Sequence, residues 1–353
     1  MQQNRTAVPL SKGTAVFLQN GTEKAKGEIP MKRAAIILSV LLLLLSCAAC
    51  ARKPAPEAAA AIRVGSLKGP TSMGLVNLRK AAENGELTDT YTFTMATDAS
   101  EIAASLVSGD LDIALIPANL AAVLYNRRTE KGIEVIDINT LGVLYCVTGA
   151  EGVSSVGDLA GKTVYLTGQG TTPEYSLRFL LAQAGVTDCT LEFRSEATEV
   201  AALLAADPAC IAVLPQPFAT VAMAQNDALG EAFSLSESWD AVSGGSRMVT
   251  GVTVVRKSFL KEHPQAVERF LAAHADSAAR AGSDPAGTAK LIAEYGIIEK
   301  EPVAAKALPK CGVCCLTGRE METALRGYLQ ILLEADPASV GGEAPDAGFY
   351  HAS

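Results

Sequence analysis

Short β-prone runs that end in Gly, Pro, Ser or Thr and pass straight into helical patterns recur along this chain, and that alternation leaves few architectures open. Residues 62–67 form one such run, which stops at Lys68-Gly69-Pro70-Thr71-Ser72 before an apolar helical pattern starts at Met73. Residues 91–96 form the next run, and Asp98, three residues ahead of Glu101, starts a helix that runs to Ser108. A third run, 110–116, stops at Pro117-Ala118-Asn119, ahead of a helix over 120–125. Strands joined by helices lie parallel with both faces covered, so the expected class is α/β.

Two further β-rich runs, 133–138 and 141–147, precede a Gly/Ser break at 149–155, where the sequence places the first crossing between lobes. A second series then begins with a strand over 162–166, a polar loop Gly168-Gln169-Gly170-Thr171-Thr172 and a helix over 173–184. Thr172 is the expected N-cap, with Pro173 in the first turn, where no backbone donor is lost. Strands at 191–194 and 211–214 follow, the latter ending in Pro215-Gln216-Pro217, and the polar segment 243–247 returns the chain to the first lobe. With 353 residues, 49% of them hydrophobic, the chain is long enough for two cores. The expected fold is two-lobed α/β, each lobe a mostly parallel sheet flanked by helices, joined by a two-strand hinge.

The N-terminal region carries an export signal. Met31-Lys32-Arg33 precedes an apolar run over 34–45, too short for the roughly 20 residues of a spanning helix. It ends in Ser46-Cys47-Ala48-Ala49-Cys50, which resembles the bacterial lipobox, where a cysteine is acylated. Cys50 follows paired small residues and is favoured as the lipid anchor, with Cys47 the competitor. The expected organisation is 1–30 as a non-native upstream extension with Met31 the true start, 31–50 as signal peptide, 51–61 as tether, 62–147 as the first part of lobe 1, 148–247 as lobe 2, and 248–353 as the return to lobe 1 with C-terminal helices. The tether is Pro/Ala/Glu-rich with no apolar periodicity.

The formal net charge of −8, with scattered lysines and arginines, offers no basic footprint and excludes nucleic acid as a partner. Cys146, Cys189 and Cys210 lie far apart and read as small buried hydrophobes, while Cys311, Cys314 and Cys315 have no second pair or nearby histidine to complete four ligands, so no metal and no cofactor are expected.

The order of Ile62-Arg63-Val64-Gly65, Asp112-Ile113-Ala114 with Pro117, Asp158-Leu159-Ala160-Gly161-Lys162-Thr163-Val164, and Gly251-Val252-Thr253-Val254-Val255-Arg256 before Phe259-Leu260 resembles the substrate-binding proteins of ABC importers, in particular the nitrate/sulfonate/taurine-type group with the type II periplasmic-binding fold. Gly327-Tyr328-Leu329, Gly341-Gly342, Pro345-Asp346 and Phe349-Tyr350 resemble the tail of some members of that group. The resemblance implies a monomeric, extracytoplasmic lipoprotein, held to the cell membrane by its anchor, that captures a small molecule by hinge closure and delivers it to a transporter permease.

In open parallel sheets ligands bind beyond the carboxyl ends of strands. The expected ligand-binding residues are therefore Thr71, Ser72, Met73, Pro117 and Asn119 in lobe 1, and Gly168, Thr171, Thr172, Pro215 and Gln216 in lobe 2. Uncharged turns and helix N-termini suit a small anion such as a sulfonate or carboxylate. Ordinary caps and turns use the same residue types, and Lys68 could pair with an anion but is more simply a solvated surface lysine. Two rivals stand beside this reading: an enzyme of pyrimidine-synthase or menaquinone-pathway type on the same fold, and a surface sensor or adhesin lobe without an importer. None of His263, His274 and His351 falls on an expected cleft loop.

Overall fold

The computed structural model describes residues 58–127 and 132–352. The segments expected as upstream extension and signal peptide, Cys47 and Cys50, and residues 51–57 of the expected tether lie outside the described residues. No described helix is long and apolar enough to cross a membrane.

Lobe 1 is built on β1 (Ala61–Leu67), β2 (Thr90–Ala96), β3 (Ile113–Pro117), β4 (Ile133–Leu141), β10 (Val249–Arg256) and β11 (Val313–Leu316), ordered β11-β4-β10-β3-β1-β2. Lobe 2 is built on β5 (Leu144–Thr148), β6 (Thr163–Leu166), β7 (Thr190–Phe193), β8 (Ile211–Pro215) and β9 (Gly230–Ser234), ordered β7-β6-β8-β5-β9. Lobe 1 carries α1 (Pro70–Met73), α2 (Val76–Glu83), α3 (Ala99–Ser108) and α4 (Ala118–Asn126). Lobe 2 carries α5 (Thr172–Gln183), α6 (Ala197–Ala206), α7 (Phe218–Gln225) and α8 (Leu235–Val242). After β10 come α9 (Lys257–Glu262), α10 (Pro264–Ser283), α11 (Pro285–Glu294), α12 (Glu301–Ala307) and α13 (Gly318–Ala335).

Both sheets are mixed rather than mostly parallel, because β10 and β11 in lobe 1 and β5 in lobe 2 pair antiparallel with their neighbours, and the reversals of β5 and β10 have a geometric cause. β1 pairs parallel with β2 and β3, and β10 pairs antiparallel with both β3 and β4, so β1 to β4 share one direction. In lobe 2, β6 is parallel to β7 and β8, while β5 is antiparallel to β8 and β9. β4 ends at the gap and β5 begins there, so β5 must run away from the gap, against strands that run toward it. β10, entering lobe 1 from lobe 2, is reversed for the same reason. The carboxyl ends of β1–β4 and of β6–β9 therefore all face the space between the lobes.

This topology corrects the position of the first crossing. The sequence placed it at the Gly/Ser break 149–155, but β5 already belongs to the second sheet, so the chain crosses at Gly142-Val143. Gly142 allows a tight passage: a Cβ there would stand 1.8 Å from Ser236 Oγ and 2.6 Å from Met248 Cε. The last residues of the segment expected as tether belong to the fold, because the Ala60 amide donates to Asp89 Oδ1 at 2.9 Å and β1 starts at Ala61.

Lobe 1's sheet is apolar on both faces, as a sheet covered twice must be. Ile62, Val64, Ile113, Leu115 and Val255 pack with Phe270 of α10, whereas Ala114, Ile116, Val252 and Val254 pack with Tyr125 and Leu325. β9 and β11 carry no clear β signal in sequence and went unrecognised. β9 reads GEAFS and is largely solvent-facing, and β11 contains the Cys314-Cys315 pair.

Candidate interlobe binding site

At the end of β1, the Thr71 hydroxyl donates to the Leu67 carbonyl at 2.9 Å and the Ser72 hydroxyl to the same oxygen at 2.5 Å, while Ser72 Oγ lies 2.7 Å from Ser66 Oγ. These bonds pin α1 onto its strand. The Thr71 methyl faces the β10 backbone, since a Cβ on Gly251 would come within 2.9 Å of it and 2.6 Å of Asn139 Oδ1. Met73 departs from expectation. It is fully buried among Val76, Ala289, Ile292 and Leu308, because the first turn of α1 directs it into the core under the later helices rather than into the gap.

At the end of β3, Pro117 caps α4 and Asn119 is buried in its first turn. At the end of β6, Gly168 takes φ +79, a left-handed conformation suited to glycine, and Thr171 Oγ1 donates to its carbonyl at 2.7 Å. Thr171 rather than Thr172 is the N-cap of α5, a one-residue shift that moves Thr172 into the first turn. That shift lets the two lobes meet: Thr172 Oγ1 donates to Asn119 Oδ1 across the gap at 3.3 Å, with both residues buried. Such a bond contributes about 1 kcal/mol.

At the end of β8, Pro215 is half-buried and Gln216 is fully buried. The Gln216 amide nitrogen of the backbone donates to Val143 in the first crossing at 2.9 Å, and its side-chain oxygen accepts from Thr220 Oγ1 at 2.8 Å. Its Nε2 is buried with no partner among the described residues, and the same holds for Thr250 Oγ1 and Ser236 Oγ. All three sit around the crossing: Gln216 on Val143, Ser236 against Gly142, and Thr250 beside Val249, which pairs with Leu141. Buried donors without partners are uncommon and each requires an explanation.

The sequence reading therefore found residues in all four turns, and Asn119 with Thr172 are the pair brought into contact. It gave no role to the polar residues Ser66, Asn139, Thr140, Ser236 and Thr250, which lie inside strands or at a helix start rather than in Gly/Pro turns. The signal for Asn139 and Thr140 was the polar pair closing the apolar strand IEVIDINTL. It also missed Arg194, just past β7. With Gly168, Gln169, Phe193 and Ser195 this residue lines a groove of about 370 Å³. Its guanidinium lies over the Tyr165 ring at 5.1 Å and donates to the Phe193 carbonyl at 2.9 Å. Lys68 is exposed.

The lobes also touch at the rim. Lys310 pairs with Glu231 of β9 at 2.5 Å, the Tyr145 hydroxyl donates to the Lys310 carbonyl at 3.2 Å, and Ser176 of α5 lies 3.3 Å from the Tyr328 hydroxyl of α13. Trp239 of α8 packs between Phe179 and Tyr328, joining lobe 2 to the C-terminal helix. Exposed pairs such as Lys310–Glu231 are weak and easily exchanged for water.

Two lobes with strand ends and helix starts converging on one gap define a periplasmic-binding-protein-like fold. The chain belongs to the NMT1/THI5-like family, whose model matches residues 92–288, more than half of its length. It is similar to an ABC transporter protein of Parabacteroides distasonis at 25% identity and TM-score 0.70, covering 82% of this chain and 98% of that one. The periplasmic aliphatic sulphonate-binding protein SsuA of Escherichia coli shares the fold at 14% identity and TM-score 0.67, with 85% of this chain and 94% of that one covered. So does the alkanesulfonate-binding SsuA of Xanthomonas axonopodis pv. citri, bound to MOPS, at 14% identity and TM-score 0.62, covering 84% and 100%. No curated protein matches the chain.

Proposed function

We propose that this chain is the extracytoplasmic solute-binding component of an ABC importer, anchored to the membrane through Cys50 or Cys47, and that it closes its two lobes on a small organic anion of the sulfonate or carboxylate class. The observation that carries the reading is the set of buried polar atoms without partners among the described residues, Gln216 Nε2, Ser236 Oγ and Thr250 Oγ1, beside the Gly142-Val143 crossing between the lobes. Groups of this kind cost free energy unless something polar meets them, and a bound acceptor does so. The start of α5, with Thr171 and Thr172, adds backbone donors and a favourable dipole for negative charge. Arg194, beside the same loop, adds a guanidinium within the groove. Binding to the closed form shifts the population from open to closed, and a permease reads that difference.

The rival reading on this fold is enzymatic and needs a nucleophile, an acid/base pair or a metal cluster at the gap. Burial pushes the thiols of Cys146, Cys311 and Cys314 up to about 12, so none of these three is a ready thiolate nucleophile.

The test is calorimetry with short alkanesulfonates, alkyl carboxylates and pyrimidines, on the natural protein and on Thr171→Val/Thr172→Val. The compound that binds the natural protein should bind the double variant about tenfold or more weakly, since each lost hydroxyl removes about 1 kcal/mol. Equal affinity would take the β6–α5 loop out of the site.

A further inference from the structure

The described part of lobe 1 buries three aspartates, and two of them are held by guanidinium groups. Asp89 receives Arg269 through two bonds of 2.7 and 2.6 Å, and Asp112 receives Arg63 at 2.9 and 2.7 Å together with Arg256 at 2.6 Å. The third, Asp137 in β4, is fully buried and meets no Lys or Arg within ion-pair distance among the described residues. Its neighbours are Thr253, which donates to Oδ1 at 2.8 Å, and His274 of α10, whose Nδ1 lies 3.1 Å from Oδ2. Cys315 of β11 completes the group: one donor atom from each of Asp137, His274 and Cys315 lies within 4.8 Å of the others.

We propose that Asp137, His274 and Cys315 form a binding site for a divalent transition metal of the zinc class, within lobe 1 and separate from the interlobe gap. One oxygen, one imidazole nitrogen and one thiolate are a donor set that zinc accepts and that calcium or magnesium does not. The 3.1 Å between Nδ1 and Oδ2 is close to the edge of a tetrahedron with bonds of about 2.0–2.1 Å, roughly 3.3 Å, so coordination needs little movement. The supporting shell is in place as well. Thr253 orients the free carboxylate oxygen, Asn139 Nδ2 donates to Thr253 Oγ1 at 3.2 Å, and the His274 ring packs on Phe270 with centroids 5.6 Å apart. The β11–β4 ladder shifts register between Val313 and Leu316, so Cys314 and Cys315 diverge. Cys314 Sγ donates to the Ile138 carbonyl at 3.3 Å, while Cys315 joins the aspartate and histidine.

Cys315 is only partly buried, and three protein donors leave a tetrahedral ion one position for water or a small anion. The ion would tie β4, α10 and the edge strand β11 together. Sequence spacing hid the site, because its histidine and aspartate come from segments remote from the cysteines.

The experiment titrates cobalt(II), as a spectroscopic substitute for zinc, into the purified, reduced protein. The expected result is a cobalt–thiolate charge-transfer band saturating at one equivalent, displaced by zinc, with zinc raising the melting temperature. Cys315→Ser should abolish the band and weaken binding about 100-fold or more, while Cys314→Ser keeps both. His274→Asn should abolish the band too, but it is fully buried, so the half-buried Cys315→Ser is the primary variant. Absence of the band in the natural protein, its survival in Cys315→Ser, or its loss in Cys314→Ser would each overturn the proposal. None of these readouts depends on the interlobe ligand.

Discussion

Asp112 and Asp137 lie in the same sheet, both withdrawn from solvent, yet the protein treats them in opposite ways. Asp112 sits just before β3 and is closed on both sides by guanidinium groups, with the Arg63 backbone amide adding a third donor at 3.0 Å. Asp137 sits in β4 among a hydroxyl, an imidazole and a thiol. Taking a carboxylate out of water is costly, and a permanent cation from the chain offsets it in one place. In the other the chain supplies only neutral or titratable partners, which is how a site built to accept an external cation differs from a structural staple. Arg63 and Arg256 reach the surface with side chains 43% and 24% exposed, so the staple also ties β1 and β10 to solvent at the lobe's outer end.

The largest effect should separate the two directly. Asp112→Ala leaves two guanidinium groups without their acceptor and is expected to lower unfolding free energy by about 3 kcal/mol, at the low end for broken buried pairs because the arginines can rehydrate. Asp137→Asn in metal-free protein keeps the shape and the Thr253 contact, and should cost about 1 kcal/mol. Urea denaturation of both variants with chelator present measures the difference. Equal losses would mean that Asp137 is a staple like Asp112, and the contrast would collapse.

Acid should sharpen the same contrast by a smaller amount. At Asp112 burial alone would raise the carboxyl, but bonds from Arg63 and Arg256 outweigh it and hold it below the usual range. At Asp89 burial is likewise outweighed, by Arg269 and the Ala60 amide. A depressed folded value means stability that is fully present above the unfolded carboxyl's pKa, near 3.9, and lost as pH falls through the folded value. Stability should therefore fall on acidification below about pH 4, and Asp112→Asn should flatten that slope. A slope identical to the natural protein's would remove Asp112 from the acid response.

How far the sequence could foresee this follows from where each signal lies. Turn chemistry lies in consecutive residues, so Gly69-Pro70-Thr71, Pro117-Ala118-Asn119 and Gly168 to Thr172 were legible, and with them the gap between the lobes. Crossings depend on strand direction in three dimensions, which is why the break at 149–155 drew attention and Gly142 did not. Met73 carried a helical-start signal that said nothing of which side the first turn would bury. The polar group of β4 was harder still: Asp137 and Asn139 alternate as a strand face should, but their partners Thr253 and His274 are more than a hundred residues away. Burial and pairing at such distances leave no local pattern to read.

The last test concerns the shell around Asp137 rather than the aspartate itself. Thr253 donates to Asp137 Oδ1 and accepts from Asn139, so Thr253→Val removes one donor from the carboxylate and strands the Asn139 amide in a fully buried setting. The metal-free protein should lose about 1–2 kcal/mol, the usual cost of a buried polar group left unmet. If the hydroxyl also fixes the carboxylate for an ion, cobalt affinity should fall about tenfold further, as outer-shell losses do at metal sites, without loss of the thiolate band. A stability loss with cobalt affinity unchanged would make Thr253 a packing residue, and the orientation of Asp137 would then come from His274 alone.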